Sequence, residues 1–160
     1  MRAERLSFAR IGITKLTGGV VNLVVDTSVW SLILRRPQVQ VDNPFVQAFR
    51  RHLTAEDGLF LIGNILQELL DGLRSGNQFQ LLTKSMASFP LLVPNRTTYI
   101  EAARLRTVFR GKEIQAGSVD CLIAAVCIEQ GFPLLTADRD FLRISQNSEL
   151  VVLPPLKETR

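Results

Sequence analysis

The chain has 160 residues, 46% of them hydrophobic and 21% charged, which suits one globular domain with a sizeable core and excludes a disordered or fibrous polypeptide. No apolar run approaches the roughly 20 residues that a spanning helix needs, so no membrane role is expected. The formal net charge of +4 permits an anionic partner such as RNA or DNA without establishing one.

Residues 1–19, "MRAERLSFARIGITKLTGG", are basic, with Glu4 the only acid. Arg10 and Lys15 interrupt the apolar run that a signal peptide requires, so the segment reads as an N-terminal extension ahead of the fold. "VVNLVV" (20–25) reads as a buried strand, and "SVWSLILRR" (28–36) as a helix that must stop before Pro37. "NPFVQAFRRHL" (43–53) carries a helix-start signature, with Asn43 as N-cap and Pro44 at the first position. "GLFLIG" (58–63) is a second strand.

The next helix opens with Asn64 and has Gln67 at capping-box spacing. Its stripe of Leu66, Leu69, Leu70 and Leu73 follows the 3.6-residue period. A further helix at 77–89, a strand at 91–93 and a helix at 98–111 follow. "SVDCLIAAVCIEQG" (118–131) is then a helix with Ser118 as N-cap and Gly131 as C-cap. It holds both cysteines, Cys121 and Cys127, at a spacing that suits neither a disulfide nor a zinc site. Buried thiols of a reducing, cytoplasmic setting are the expectation. "PLLT" (133–136) is a strand, a short helix starts at Asp138, and a last strand lies around "LVVL" (150–153). The domain spans 20–153, with 154–160 as a C-terminal tail.

Strands alternating with helices indicate an α/β fold with a mostly parallel central sheet, and such folds collect functional groups outside the carboxyl ends of their strands. Asp26 follows the first strand and Asp138 the "PLLT" strand. Asp120 lies in the first turn of its helix, where the dipole favours an anion. Glu68 lies off the leucine stripe and is able to face a cleft. Singly, each has an ordinary reading: caps for Asp26 and Asp138, dipole for Asp120, solvation for Glu68. Together, carboxylates converging on one cleft repel one another unless a cation lies between them. Oxygen-only ligation suits Mg²⁺, with Mn²⁺ as a substitute. The single histidine, His52, leaves zinc or histidine-base chemistry little to work with. Asp140 also falls near the strand end and is an alternative or secondary ligand. Asp71, one turn after Glu68, reads as solvated.

"VVDTSVW", "GNILQELLDGL", "GSVDCLIAAVC" and "LLTADRDF", in that order, resemble the four acidic motifs of PIN-domain ribonucleases, in particular the VapC-type toxins of bacterial toxin–antitoxin pairs. The resemblance covers about residues 20–152. It implies a three-layer α/β/α PIN-like fold and metal-dependent endonucleolytic cleavage of RNA. It also implies a small cognate antitoxin that blocks the site, and a homodimer. Carried over by position, the acidic set is Asp26, Glu68, Asp120 and Asp138, with Thr27, Ser28 and Thr136 at hydroxyl positions that organise the metal or the phosphate. The expected chemistry is hydrolysis by activated water, leaving a 5′-phosphate and a 3′-hydroxyl, with one or two Mg²⁺ ions bound.

Arginines recur at Arg35-Arg36, Arg50-Arg51, Arg104/Arg106 and Arg110. They read equally as solvated helix faces or as a basic rim for RNA phosphates. Trp30 is expected to pack the first helix. An aspartate-nucleophile phosphatase needs a second acid at position 28, where this chain has Ser28. Two alternatives stay open: a catalytically silent PIN-like module that binds RNA or protein, and a PIN nuclease of RNA maturation or DNA processing.

Overall fold

A computed structural model describes residues 20–35 and 42–155. The expected extension at 1–19, the side chains of the Arg35-Arg36 pair and residues 156–160 of the tail lie outside the described residues. Four strands, β1 (Asn22–Val25), β2 (Gly58–Ile62), β3 (Leu91–Leu92) and β4 (Leu134–Leu135), form a sheet of order β3-β2-β1-β4. Every pairing is parallel: Leu23 lies opposite Leu59, Leu61 opposite Leu91, and Val25 opposite Leu135. Leu23, Val24 and Val25 are completely buried, as are Leu134 and Leu135. A parallel strand covered on both faces requires such an unbroken apolar run.

Seven helices flank the sheet among the described residues: α1 (Thr27–Arg35), α2 (Pro44–Thr54), α3 (Gly63–Asp71), α4 (Gly76–Met86), α5 (Arg96–Gly111), α6 (Ser118–Gln130) and α7 (Asp140–Gln146). The chain moves outward from β1 to β2 to β3, then returns across the sheet to β4. Right-handed crossovers put α1–α4 on one face and α5–α6 on the other, giving the three-layer α/β/α arrangement of a PIN-like fold. On the first face, α1 packs against α2 and α3; on the second, α5 packs along α6.

Local chemistry accounts for most of the elements. Asn43 caps α2, its side-chain oxygen accepting from the N–H groups of Phe45 and Val46. Trp30 is 2% exposed, donates its indole N–H to the Val25 carbonyl, and meets Phe49 and Phe89 edge-on at 5.0 and 4.9 Å. It therefore staples α1 to the end of β1. Residues Cys121–Cys127 of α6 are buried without interruption, the signature of a helix enclosed by protein on all sides. Neither cysteine is in a disulfide, and burial pushes both thiols above their ordinary range. Gly131 ends α6 in the left-handed conformation at φ 67°, which a side chain would strain.

Four local expectations are corrected. Asn64 does not cap α3: β2 turns directly into that helix, Ile62 is the extended residue before it, and no side chain caps it. Ser118 is the first helical residue of α6, and the cap position belongs to Gly117. The helix after β4 begins at Asp140 and not at Asp138. The last strand reduces to one parallel bridge between Val152 and Leu134, because β4 itself is only two residues long. A network that sequence reasoning missed pins the start of α5 to the end of α6. Thr98 donates to Glu129 Oε2 at 2.6 Å and Asn95 donates to Glu129 Oε1 at 3.1 Å.

Candidate active site

The strand order places the topological switch between β1 and β4, since the chain leaves β1 in one direction and reaches β4 from the other. A crevice at the carboxyl ends of two such strands is where ligands of open α/β sheets bind. Asp26 follows β1 there, and Thr136 and Asp138 follow β4. The Asp26 N–H donates to the Leu135 carbonyl at 3.0 Å, so the two strand ends stay tied beyond the ladder.

Asp26 is only 6% exposed. Its carbonyl accepts from the N–H groups of Val29 and Trp30 and so opens α1. Its Oδ2 accepts from the Ser28 N–H at 3.2 Å, the Ser28 hydroxyl at 2.6 Å and the Thr136 hydroxyl at 3.0 Å. Thr136 Oγ1 in turn accepts the Asp138 N–H at 3.0 Å, and Ser28 Oγ accepts the Ala137 N–H at 2.9 Å. Two hydroxyls thus fasten the β1–α1 turn to the β4–α7 loop while holding one oxygen of a buried carboxylate. Hydrogen bonds of this kind offset the cost of burying that carboxyl group.

The other acids share one habit. Asp120 accepts the Gly117 N–H on Oδ2 at 2.9 Å, Asp138 accepts the Asp140 N–H on Oδ1 at 2.9 Å, and Glu68 accepts the Thr27 hydroxyl on Oε2 at 2.9 Å. Each of these carboxylates, like Asp26, commits a single oxygen to local structure. A glycine at 117 lets Asp120 fold back on that N–H, since a Cβ there would lie 2.8 Å from Asp120 Oδ2.

Electrostatics show which acids face one another. Partial burial holds the Asp120 carboxyl above the usual carboxylate range. The Gly117 N–H opposes this, and the negative charges of Asp138, Asp26 and Asp140 reinforce it. The charges of Asp138, Asp26 and Asp140 thus lie near enough to act on Asp120, and Asp120 and Asp140 line one cleft. Glu68 is exposed, accepts the Thr27 hydroxyl, and is not among the charges acting on Asp120. Asp71 is exposed, as expected of a solvated residue.

The donor set fits a hard divalent cation: it is all oxygen, with like charges that a cation would neutralise. It is not closed on a point, for among the described residues no three His, Cys, Asp or Glu side chains gather tightly enough to hold one ion as they stand. Asp26, Asp120 and Asp138 are the residues that would hold it, with Asp140 beside them.

Next to these acids lies a cleft of about 640 Å³, lined by Arg106, Arg110, Ile114, Gly117, Asp120 and Asp140 among others. The sequence grouped Arg104 with Arg106; the structure separates them. Arg104 is exposed and pairs with Glu101 on its own helix. Arg106 and Arg110, four residues apart on one face of α5, turn to the cleft. That i, i+4 spacing was the available signal. Arg50 and Arg51 are exposed on α2. His52 is engaged elsewhere, its Nδ1 lying 2.7 Å from Asp57 Oδ2, while Asp57 Oδ1 accepts the Val21 N–H.

Fold and crevice together define a class: compact α/β/α domains that carry oxygen-rich acids at the switch point of a parallel sheet. The PIN domain family model matches residues 23–147, and the chain belongs to that family. No curated protein sequence shows a significant match. Solved structures of similar fold include FitAcB from Neisseria gonorrhoeae, at 22% identity and a TM-score of 0.65, covering 83% of this chain and 97% of that one. VapBC2 from Rickettsia felis, bound to a DNA fragment from its promoter, is 19% identical with a TM-score of 0.66, covering 83% and 98%. Mycobacterium tuberculosis VapC20, a toxin that cleaves the sarcin–ricin loop, is 16% identical with a TM-score of 0.59, covering 84% and 100%.

Proposed function

We propose that this chain is a Mg²⁺-dependent endoribonuclease, the toxin of a type II toxin–antitoxin pair, acting in the cytoplasm as a homodimer and restrained by a small cognate antitoxin. The observation that carries the reading is the set of half-committed carboxylates around the β1/β4 crevice. Asp26, Asp120 and Asp138 each keep one oxygen on a hydroxyl or backbone N–H and turn their charge on a common space. Asp26, Asp120 and Asp138 hold the ion, Glu68 contributes directly or through water, and Thr27 orients Glu68. Ser28 and Thr136 fix Asp26 so that little reorganisation is needed when the ion arrives. A divalent cation bound there supplies Lewis acidity toward water and the scissile phosphate.

The antitoxin partner is proposed because FitAcB and VapBC2 are similar in fold, and a structured RNA loop is the substrate to test first because VapC20 cleaves one. The test is inducible expression of the chain alone and together with any small antitoxin-like gene found immediately upstream, followed by mapping of RNA ends. Growth arrest, new 5′-phosphate ends, and loss of both in Asp26→Asn are expected. Unimpaired growth with the lone protein and no Mg²⁺-dependent cleavage in vitro would reject the reading.

A further inference from the structure

The cleft beside the acids has a cationic wall. Arg106 and Arg110 both line it, one turn apart on α5. Neither has a carboxylate partner within ion-pair distance among the described residues, whereas Arg104 and Arg143 do. Arg106 Nε is buried with no hydrogen-bond partner. A half-buried guanidinium left without an acceptor is costly, and a bound anion offsets that cost. Asp120 and Asp140 line the same cleft, so an anion held by the two arginines lies next to the proposed ion site.

We propose that Arg106 and Arg110 form a clamp for a backbone phosphate of the substrate RNA, neighbouring the phosphate that is cut. The inference rests on the nuclease reading above and adds to it the path of the strand, which runs from the β1/β4 crevice along the α5 wall. Arginine suits the role because its planar fork grips phosphate oxygens in pairs. A clamp of this kind contributes affinity and register without reading base identity. It also keeps the negative strand from being repelled by the acids before an ion is bound.

The test is binding, not cleavage, so its failure and that of the nuclease reading are separable. Fluorescein-labelled oligouridylate is titrated with the full chain in EDTA across a range of salt, using the parent, Arg106→Gln, Arg110→Gln, the double variant, Arg106→Lys and Arg104→Gln. Losing the one clamped phosphate should lower the slope of log affinity against log salt by about 0.7, so the double variant should bind roughly 5-fold more weakly at 0.1 M salt. Arg106→Lys should keep the slope, and Arg104→Gln should match the parent. Circular dichroism confirms that each variant is folded, and Arg110→Gln, at an exposed position, carries the test if Arg106→Gln is not. The proposal is overturned if the parent does not bind the oligonucleotide, if Arg104→Gln weakens binding as much as the double variant, or if the double variant loses only inhibition by the antitoxin. RNA binding through these arginines with no Mg²⁺-dependent cleavage would leave the clamp standing and reject the nuclease. Cleavage and binding that both survive the double variant would do the reverse.

Discussion

Thr136→Val removes one oxygen and keeps the shape of the side chain, so it isolates the hydroxyl that joins β4 to Asp26. Thr136 is 3% exposed, and its Oγ1 donates to Asp26 Oδ2 and accepts the Asp138 N–H, both at 3.0 Å. Loss of a hydrogen bond to a charged group costs about 1.5–3 kcal/mol, and an N–H left unpaired costs about 1 kcal/mol more. The sum is roughly 2–4 kcal/mol, or a fall in Tm of roughly 6–12 °C for a domain of this size. Calorimetry in EDTA at neutral pH measures it. Thr136→Ser restores the hydroxyl and should recover all but about 1 kcal/mol, the share of the lost methyl. With Asp26 tilted and the Asp138 loop loosened, cleavage by the valine variant in Mg²⁺ should fall by a factor of about 10 to 100. A valine variant that melts within about 1 °C of the parent, or a serine variant as unstable as the valine one, would refute the claim that this hydroxyl anchors the carboxylate.

Asp26→Asn keeps volume and an acceptor for Ser28 and Thr136 but deletes the charge; it should melt close to the parent and lose at least about 10³-fold in cleavage, read by RNA-end mapping. Asp120 has a raised carboxyl in the folded chain, so its contribution to stability is present while it is protonated and is lost as pH climbs through its folded value. Asp120→Asn in EDTA should therefore melt higher than the parent at pH 7, with the gap closing toward about pH 4, where the unfolded aspartate also takes up its proton. Added Mg²⁺ should raise the Tm of the parent and not of Asp120→Asn, since a ligand stabilises only the state that binds it. Trp30→Ala empties the space between Phe49 and Phe89 and should cost about 3–5 kcal/mol by chemical denaturation.

Features written locally in the sequence were legible. An apolar run ending in an acid announced β1 and Asp26, and Asn43-Pro44 announced the start of α2. The hydroxyls of Thr27, Ser28 and Thr136 came through family likeness, and their bonds to Glu68 and Asp26 give them a physical task. What depended on tertiary placement was not legible. Asn64 and Gln67 have capping-box spacing, yet β2 enters α3 with no intervening loop for a cap to occupy. Ser118 looked like a cap because serine commonly is one, whereas Asp120 reaching back to Gly117 decides that helix start. Arg104 and Arg106 differ by two positions, which on a helix means different faces. Only the packing of α5 on α6 determines which face meets the acids.

The brevity of the outer strands governs how this protein can meet another chain. β3 has two residues and lies between Pro90 and Pro94, which lack the N–H groups that a neighbouring strand would accept from. On the far side, the Leu134 N–H donates to Val151 and the Leu153 N–H donates to Leu134, so the outer face of β4 is already spoken for. Among the described residues, the sheet's borders are thus a two-residue strand flanked by prolines and a single bridged segment, short edges of the kind that discourage edge-to-edge aggregation. A partner that meets these short borders gains few backbone hydrogen bonds there, so side chains carry most of such a contact.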